Sequence, residues 1–185
     1  ALSDKLGKDT LAANTLMMQL MMLAAYGMDG FAFAAEGLSG TRLGARDLDG
    51  FFAAVGRCAL WSAASAGAMS LFFLLFHTPL FAMLTNLAEV RLLMSDYYLW
   101  LVLLPLVAAP SYLLDGVFIG SAETRYMMTT MLFSVLLVYL PAWYLGRGWG
   151  NHGLWLAFTL FNASRSITLY YYYRQLTARG AWLGT

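Results

Sequence analysis

Asp29 and Glu36 stand seven residues apart inside the apolar run from Leu11 to Leu43, where hydrocarbon makes an ionised group costly. At about 3.6 residues per helical turn, that spacing sets both carboxylates on nearly the same face. Intramembrane acids usually turn toward protein or a water-filled path and mark ion or proton handling, so the pair is read as ion-coupling machinery. A structural pair, hydrogen-bonded to a neighbouring helix, is the other reading. Asp115 is the third candidate; it opens the Gly116 to Gly120 spacing a little beyond Pro110. Either it lines a cavity where the proline frees backbone carbonyls, or it approaches the interface and pairs with Arg125. Arg165, within the last apolar segment, is expected to pair with one of these acids or to snorkel outward.

Around the acids lie residues suited to apolar guests. Met28, Phe31 and Phe33 are the substrate-cavity candidates, in a helix that also carries Met17, Met18, Met21 and Met22. Flexible thioethers suit a surface that accepts varied shapes. Consecutive methionines face several directions, so many of them are expected to meet lipid or neighbouring helices instead. Gly27, Gly30, Gly37 and Gly40 supply close-packing positions on the same helix.

The elements that hold these residues are membrane helices. Of 185 residues, 61% are hydrophobic and 11% charged, against about 25% charged in soluble domains; mean hydropathy is +0.64. Five apolar segments, about 11–41, 51–76, 92–120, 126–146 and 150–172, reach the length a span needs. Long continuous runs exclude a barrel of short alternating strands, and the expected fold is all-α, a polytopic transmembrane helix bundle. Asp9 or Thr10 is expected to cap the first helix. The second is expected to close near His77, Thr78 and Pro79, and the third to bend or unwind at Pro105 and Pro110. Pro141 is expected to do the same to the fourth. GRGWGNHG, residues 146–153, reads as a turn, and Arg174 to Gly180 as a basic tail.

Net charge of +1 gives no case for a nucleic-acid surface. Cys58 is alone and reads as a small apolar residue, while His77 and His152 have no second ligand at metal spacing, so no metal, cofactor or catalytic residue is expected. Trp149, Trp155 and the Tyr170 to Tyr173 run read as interfacial anchors. With the first segment starting outside, Arg42, Arg46, Arg125, Arg174 and Arg179 fall on the inner side and Lys5, Lys8, Arg91 and Arg147 on the outer. That bias favours a cytoplasmic C-terminus. Within the loop after the first helix, Arg42, Arg46, Asp47 and Asp49 serve topology or a salt bridge to an adjacent lobe.

Three stretches resemble one family. DGFAFAAEGLSGTRLGARD, within residues 11–47, resembles the helix 8 region of multidrug and toxic compound extrusion (MATE) transporters of the DinF-like branch. YLLDGVFIGSAETRYM, residues 112–127, is similar to the end of helix 10 and its loop, and GLWLAFTLFNASRSITLYYYYR to helix 12. The resemblance implies a partial C-terminal lobe, helices 8 to 12, over residues 1–185. Helix 7 and the N-terminal lobe would be its partners, with the lipid bilayer and small organic cations. It further implies a plasma (inner) membrane antiporter coupled to H+ or Na+, with Asp29 and Glu36 in the helix 8 motif. In the family an acid on helix 1 usually carries the coupling role, and sodium-coupled relatives use acids on helices 7 and 10; Asp115 does not match the latter convincingly. A flippase of lipid-linked substrates and an inactive or structural fragment are the alternatives. An intramembrane enzyme would need a nucleophile with its base, or a metal set, and neither is evident.

Overall fold

The computed structural model describes residues 7–183, so Lys5 lies outside the described residues. Six helices account for most of that length: α1 (Lys8–Gly44), α2 (Leu48–Leu84), α3 (Ala88–Gly120), α4 (Thr124–Phe133), α5 (Leu140–Gly146) and α6 (Asn151–Arg179). No strand occurs among the described residues. α1, α2, α3 and the stretch Thr124–Trp149 are long and apolar enough to cross a membrane. The fifth expected segment, α6, has the length but not the same apolarity. Its polar residues face inward: Thr159, Asn162 and Ser166 are buried against the bundle.

α3 is the centre of the bundle and packs against α1, α2 and α6. Met17, Leu20, Phe73, Phe81, Met94, Leu101 and Trp155 form one apolar core, and Phe51, Val117, Phe118, Leu169 and Trp182 another near the opposite end. Burial of apolar surface against protein gains little over lipid, so close backbone approach and interhelical hydrogen bonds must fix these contacts.

The close approach is made by α3 rather than by the glycines of α1. A Cβ added at Gly116 would run into the backbone carbonyl of Ala32, and one at Gly120 into that of Glu36. Ala32 and Glu36 are four residues apart, as are Gly116 and Gly120, so the two helices run in the same direction, interlocked over one turn. Of the four glycines expected to pack on α1, Gly40 meets the Gly120 carbonyl and Gly27 the tip of Met69, whereas Gly30 and Gly37 face open space.

Several boundaries differ from the sequence expectation. α1 starts at Lys8 after Gly7 with no side-chain cap, so neither Asp9 nor Thr10 caps it. α2 continues past Pro79 to Leu84, because Leu80, Phe81 and Leu84 pack into the core. α3 stays helical through Pro105 and Pro110. The fourth segment does yield to its proline. Pro141 has no N–H for the Leu137 carbonyl, and the chain widens into a π-helical stretch, Ser134–Tyr139, where the Leu140 N–H reaches back to Val135. The basic tail is helix: α6 runs to Arg179 and stops at Gly180, whose φ of 62° favours glycine.

The loop between α1 and α2 is only Ala45–Asp47, shorter than one that would hold Arg42, Arg46, Asp47 and Asp49 together. Asp47 caps α2, its Oδ1 accepting the Gly50 N–H at 2.8 Å, while Arg42 donates to Oδ2 at 2.9 Å. The Gly50 N–H first, and Arg42 second, hold the Asp47 carboxyl below its ordinary value of 3.8. A depressed acid stabilises the fold above its unfolded value and loses that contribution as pH falls through its folded value. Asp47→Asn is therefore expected to leave neutral-pH amide protection of the first turn of α2 nearly intact, since asparagine also caps. Asp47→Ala should lose that protection, and acidifying the wild type below pH 3.8 should reproduce the loss, as read by hydrogen exchange at Gly50.

Candidate functional site

The charged centre of the bundle lies where α1, α3 and α6 meet. Arg165 of α6 donates through Nη2 to both carboxylate oxygens of Asp115 on α3, at 2.8 and 2.7 Å. Both side chains are largely enclosed, 14% exposed for Arg165 and 21% for Asp115. Nearby, Ser166 donates to the Val107 carbonyl at 2.7 Å and ties α6 to α3. The Arg165 Nε is buried and has no partner.

Asp29 joins this pair from α1. Its charge acts on Asp115 and on Tyr112, and Tyr112 also feels Asp115 and Arg165. No hydrogen bond or ion pair engages Asp29 among the described residues. Glu36 is elsewhere. Seven residues along a helix is about 10 Å of rise, so sharing a face does not mean sharing a site. Glu36 sits two turns on, its backbone beneath Gly120, and takes part in no ion pair among the described residues.

Asp115 pairs with neither Arg125 nor the interface: Arg125 binds Glu123, with Nε to Oε2 at 3.2 Å. Arg165 takes the pairing of its two expected options. Arg42 and Asp47 form an ion pair within their own loop, and Arg46 sits in it at a φ of 57°. The substrate-cavity candidates lie outside the two clefts lined by α6. Met28, 1% exposed, is core, wedged among Ala66, Ala108 and Ala109; Phe33 faces outward at 70% exposure, and Phe31 is half-buried. The reason is position on the helix: α3 covers the Met28 stripe, while Phe33 falls on the opposite side.

Two large clefts lie elsewhere. One of about 460 Å³ lies between α1, α6 and the π-helical stretch, lined by Met18, Gln19, Met22, Tyr139 and Phe158. A second of about 670 Å³ lies between α2, α3 and α6, lined by Val55, Ala59, Ala63, Pro110, Ile167 and Tyr170. Two of the methionines read as a guest surface, Met18 and Met22, do face a cleft, whereas Met17 and Met21 are buried.

The first cleft has a polar floor that sequence reasoning missed. Asn14 and Asn151 exchange amide hydrogen bonds at 2.7 and 2.9 Å, and the Trp155 indole N–H donates to the Asn14 oxygen at 3.0 Å. Trp155 is thus buried in the bundle and not an interfacial anchor, unlike Trp149, which is 68% exposed. An asparagine within an apolar run was the available signal. His77 stacks on Tyr98 at 4.2 Å, and the Trp100 indole N–H donates to His152 Nδ1 at 3.2 Å, so both histidines belong to aromatic contacts at one end of α3. No group of three metal-ligating side chains forms among the described residues.

A membrane-embedded Asp–Arg pair with a second free acid, on a bundle with these motifs, directs comparison to transport proteins. The MatE family profile matches residues 1–145. The chain belongs to the MatE family. It is also 38% identical over 190 aligned positions to DNA damage-inducible protein F of Escherichia coli (strain K12), covering 98% of this chain and 39% of that relative. The chain therefore spans about two fifths of the MatE relative it matches. The family and the apolar helices make this a multi-pass membrane protein of a transporter family.

Proposed function

We propose that the chain is most of the C-terminal lobe of a cation-coupled antiporter that exports organic, often cationic compounds. It works in the plasma (inner) membrane with its C-terminus on the cytoplasmic side. A helix 7 and an N-terminal lobe complete it, and H+ or Na+ is the coupling ion. The observation that carries the reading is the meeting of Asp29, Asp115 and Arg165 among three helices of a MatE bundle. Intramembrane acids at a helix junction are the groups on which cation binding can favour one lobe orientation over another. Coupling follows when ion and substrate bind the two orientations with different affinities.

The full-length gene product, reconstituted in liposomes with a pH or sodium gradient, is expected to drive efflux of tetraphenylphosphonium. Asp29→Asn should lower that rate about tenfold, corresponding to loss of about 1.4 kcal/mol of differential binding, while Glu36→Gln should change it much less. Undiminished gradient-driven efflux by the Asp29 variant would remove the acid from the mechanism.

A further inference from the structure

We propose that Arg165 is a tethered cation that neutralises Asp115 for good, so that Asp29 alone offers an open negative charge and the junction accepts one monovalent cation, with sodium excluded from Asp115. The inference rests on the cation-coupled reading and narrows its ion.

Charge counting comes first. The titratable groups that act on one another at this level are Asp29 from α1, Tyr112 and Asp115 from α3, and Arg165 from α6. α2 adds no charge there: its Arg57 is exposed and donates to the Ala53 carbonyl one turn back. With both acids ionised and Tyr112 neutral, two negative charges meet one positive charge, which leaves one negative charge open.

Geometry says which acid holds it. Both oxygens of Asp115 already accept from Nη2 of Arg165, at 2.8 and 2.7 Å. A sodium ion needs several oxygen donors around it, and on Asp115 it would share them with a guanidinium at about 4 Å, where like charges repel strongly away from bulk water. Asp29 has no such partner. A proton needs no coordination shell, and a carboxylate facing an organic monocation needs no desolvated sodium cage. Proton and organic cation then compete for the same single charge, which is how an exchanger couples them.

The test uses the full-length gene product in detergent, with binding of radiolabelled sodium and of tetraphenylphosphonium measured separately. Wild type should bind no sodium at Asp115, and its tetraphenylphosphonium binding should weaken with acid and ignore sodium chloride relative to choline chloride. Arg165→Gln, with two open acids, should gain sodium binding at least about tenfold, or about 1.4 kcal/mol. Asp115→Asn/Arg165→Gln removes both charges, keeps the single open acid and should lose the sodium binding gained by Arg165→Gln. If Arg165→Gln does not fold, the double variant alone decides: retained acid-sensitive, sodium-insensitive binding supports the assignment, and loss of it in folded protein overturns it. Sodium binding by wild type that disappears in Asp115→Asn also overturns it. Liposomes that move no tetraphenylphosphonium under either gradient would instead sink the exporter reading, while these binding comparisons would still decide the role of Arg165.

Discussion

Gly116→Leu should be the most damaging single substitution in the bundle, lowering the midpoint of thermal unfolding in detergent sharply, and Gly116→Ala should already cost about 3 kcal/mol. The Cβ of even alanine meets the Ala32 carbonyl, which is backbone and cannot rotate away, so α1 and α3 must separate. Overpacking typically costs about 1–3 kcal/mol when side chains can adjust, and here they cannot. Gly120→Ala meets the Glu36 carbonyl in the same way and should behave alike. Gly30→Ala and Gly37→Ala are the controls. Nothing lies within 4 Å of either Cβ, and alanine is favoured over glycine in a helix by about 1 kcal/mol, so both should leave stability equal or slightly raised. Size-exclusion profiles after a heating series distinguish the two classes. Equal loss in all four variants would remove the interlock as the cause.

Arg165→Met ranks second. Removing one partner of an enclosed ion pair leaves the other charge without compensation, a loss of about 3–5 kcal/mol in buried settings. With 14% and 21% of the side chains still exposed, the lower end, about 3 kcal/mol, is expected. Asp115→Leu/Arg165→Met should recover most of that loss, because the two apolar groups suit each other and the desolvation penalty of both charges goes away. Additive losses in the double variant would show that the two side chains do not depend on each other.

The fold was legible because membrane spans are written in composition. Twenty or more apolar residues in a row specify a helix whatever packs against it, which is why the bundle architecture was readable and the boundaries less so. Boundaries went astray where tertiary contacts outweighed a local signal: Phe81 and Leu84, drawn into the core, carry α2 through Pro79. At α6 the buried Asn162 and Ser166 lower its apolarity because they face protein.

Of the candidate site, the residue types were legible and the partnerships were not. Asp29, Asp115 and Arg165 stand out as charges in apolar runs, but 86 residues of chain separate the two acids, and only the parallel docking of α1 on α3 brings them together. Spacing along one helix pointed to Glu36 as the companion of Asp29. The acid on which the Asp29 charge acts is Asp115, placed by the glycines of another helix. The direction that Met28, Phe31 and Phe33 face was illegible for a related reason: hydrophobic type gives no indication of which side of α1 is covered.

That interlock of glycine against carbonyl also limits what the bundle can do when it moves. Helices packed side chain to side chain can slide by small steps, but here a shift of α3 along α1 would have to jump a full residue or turn. α1 and α3 must therefore travel together as a single strut. The distance between Asp29 and Asp115 is then a constant of the structure.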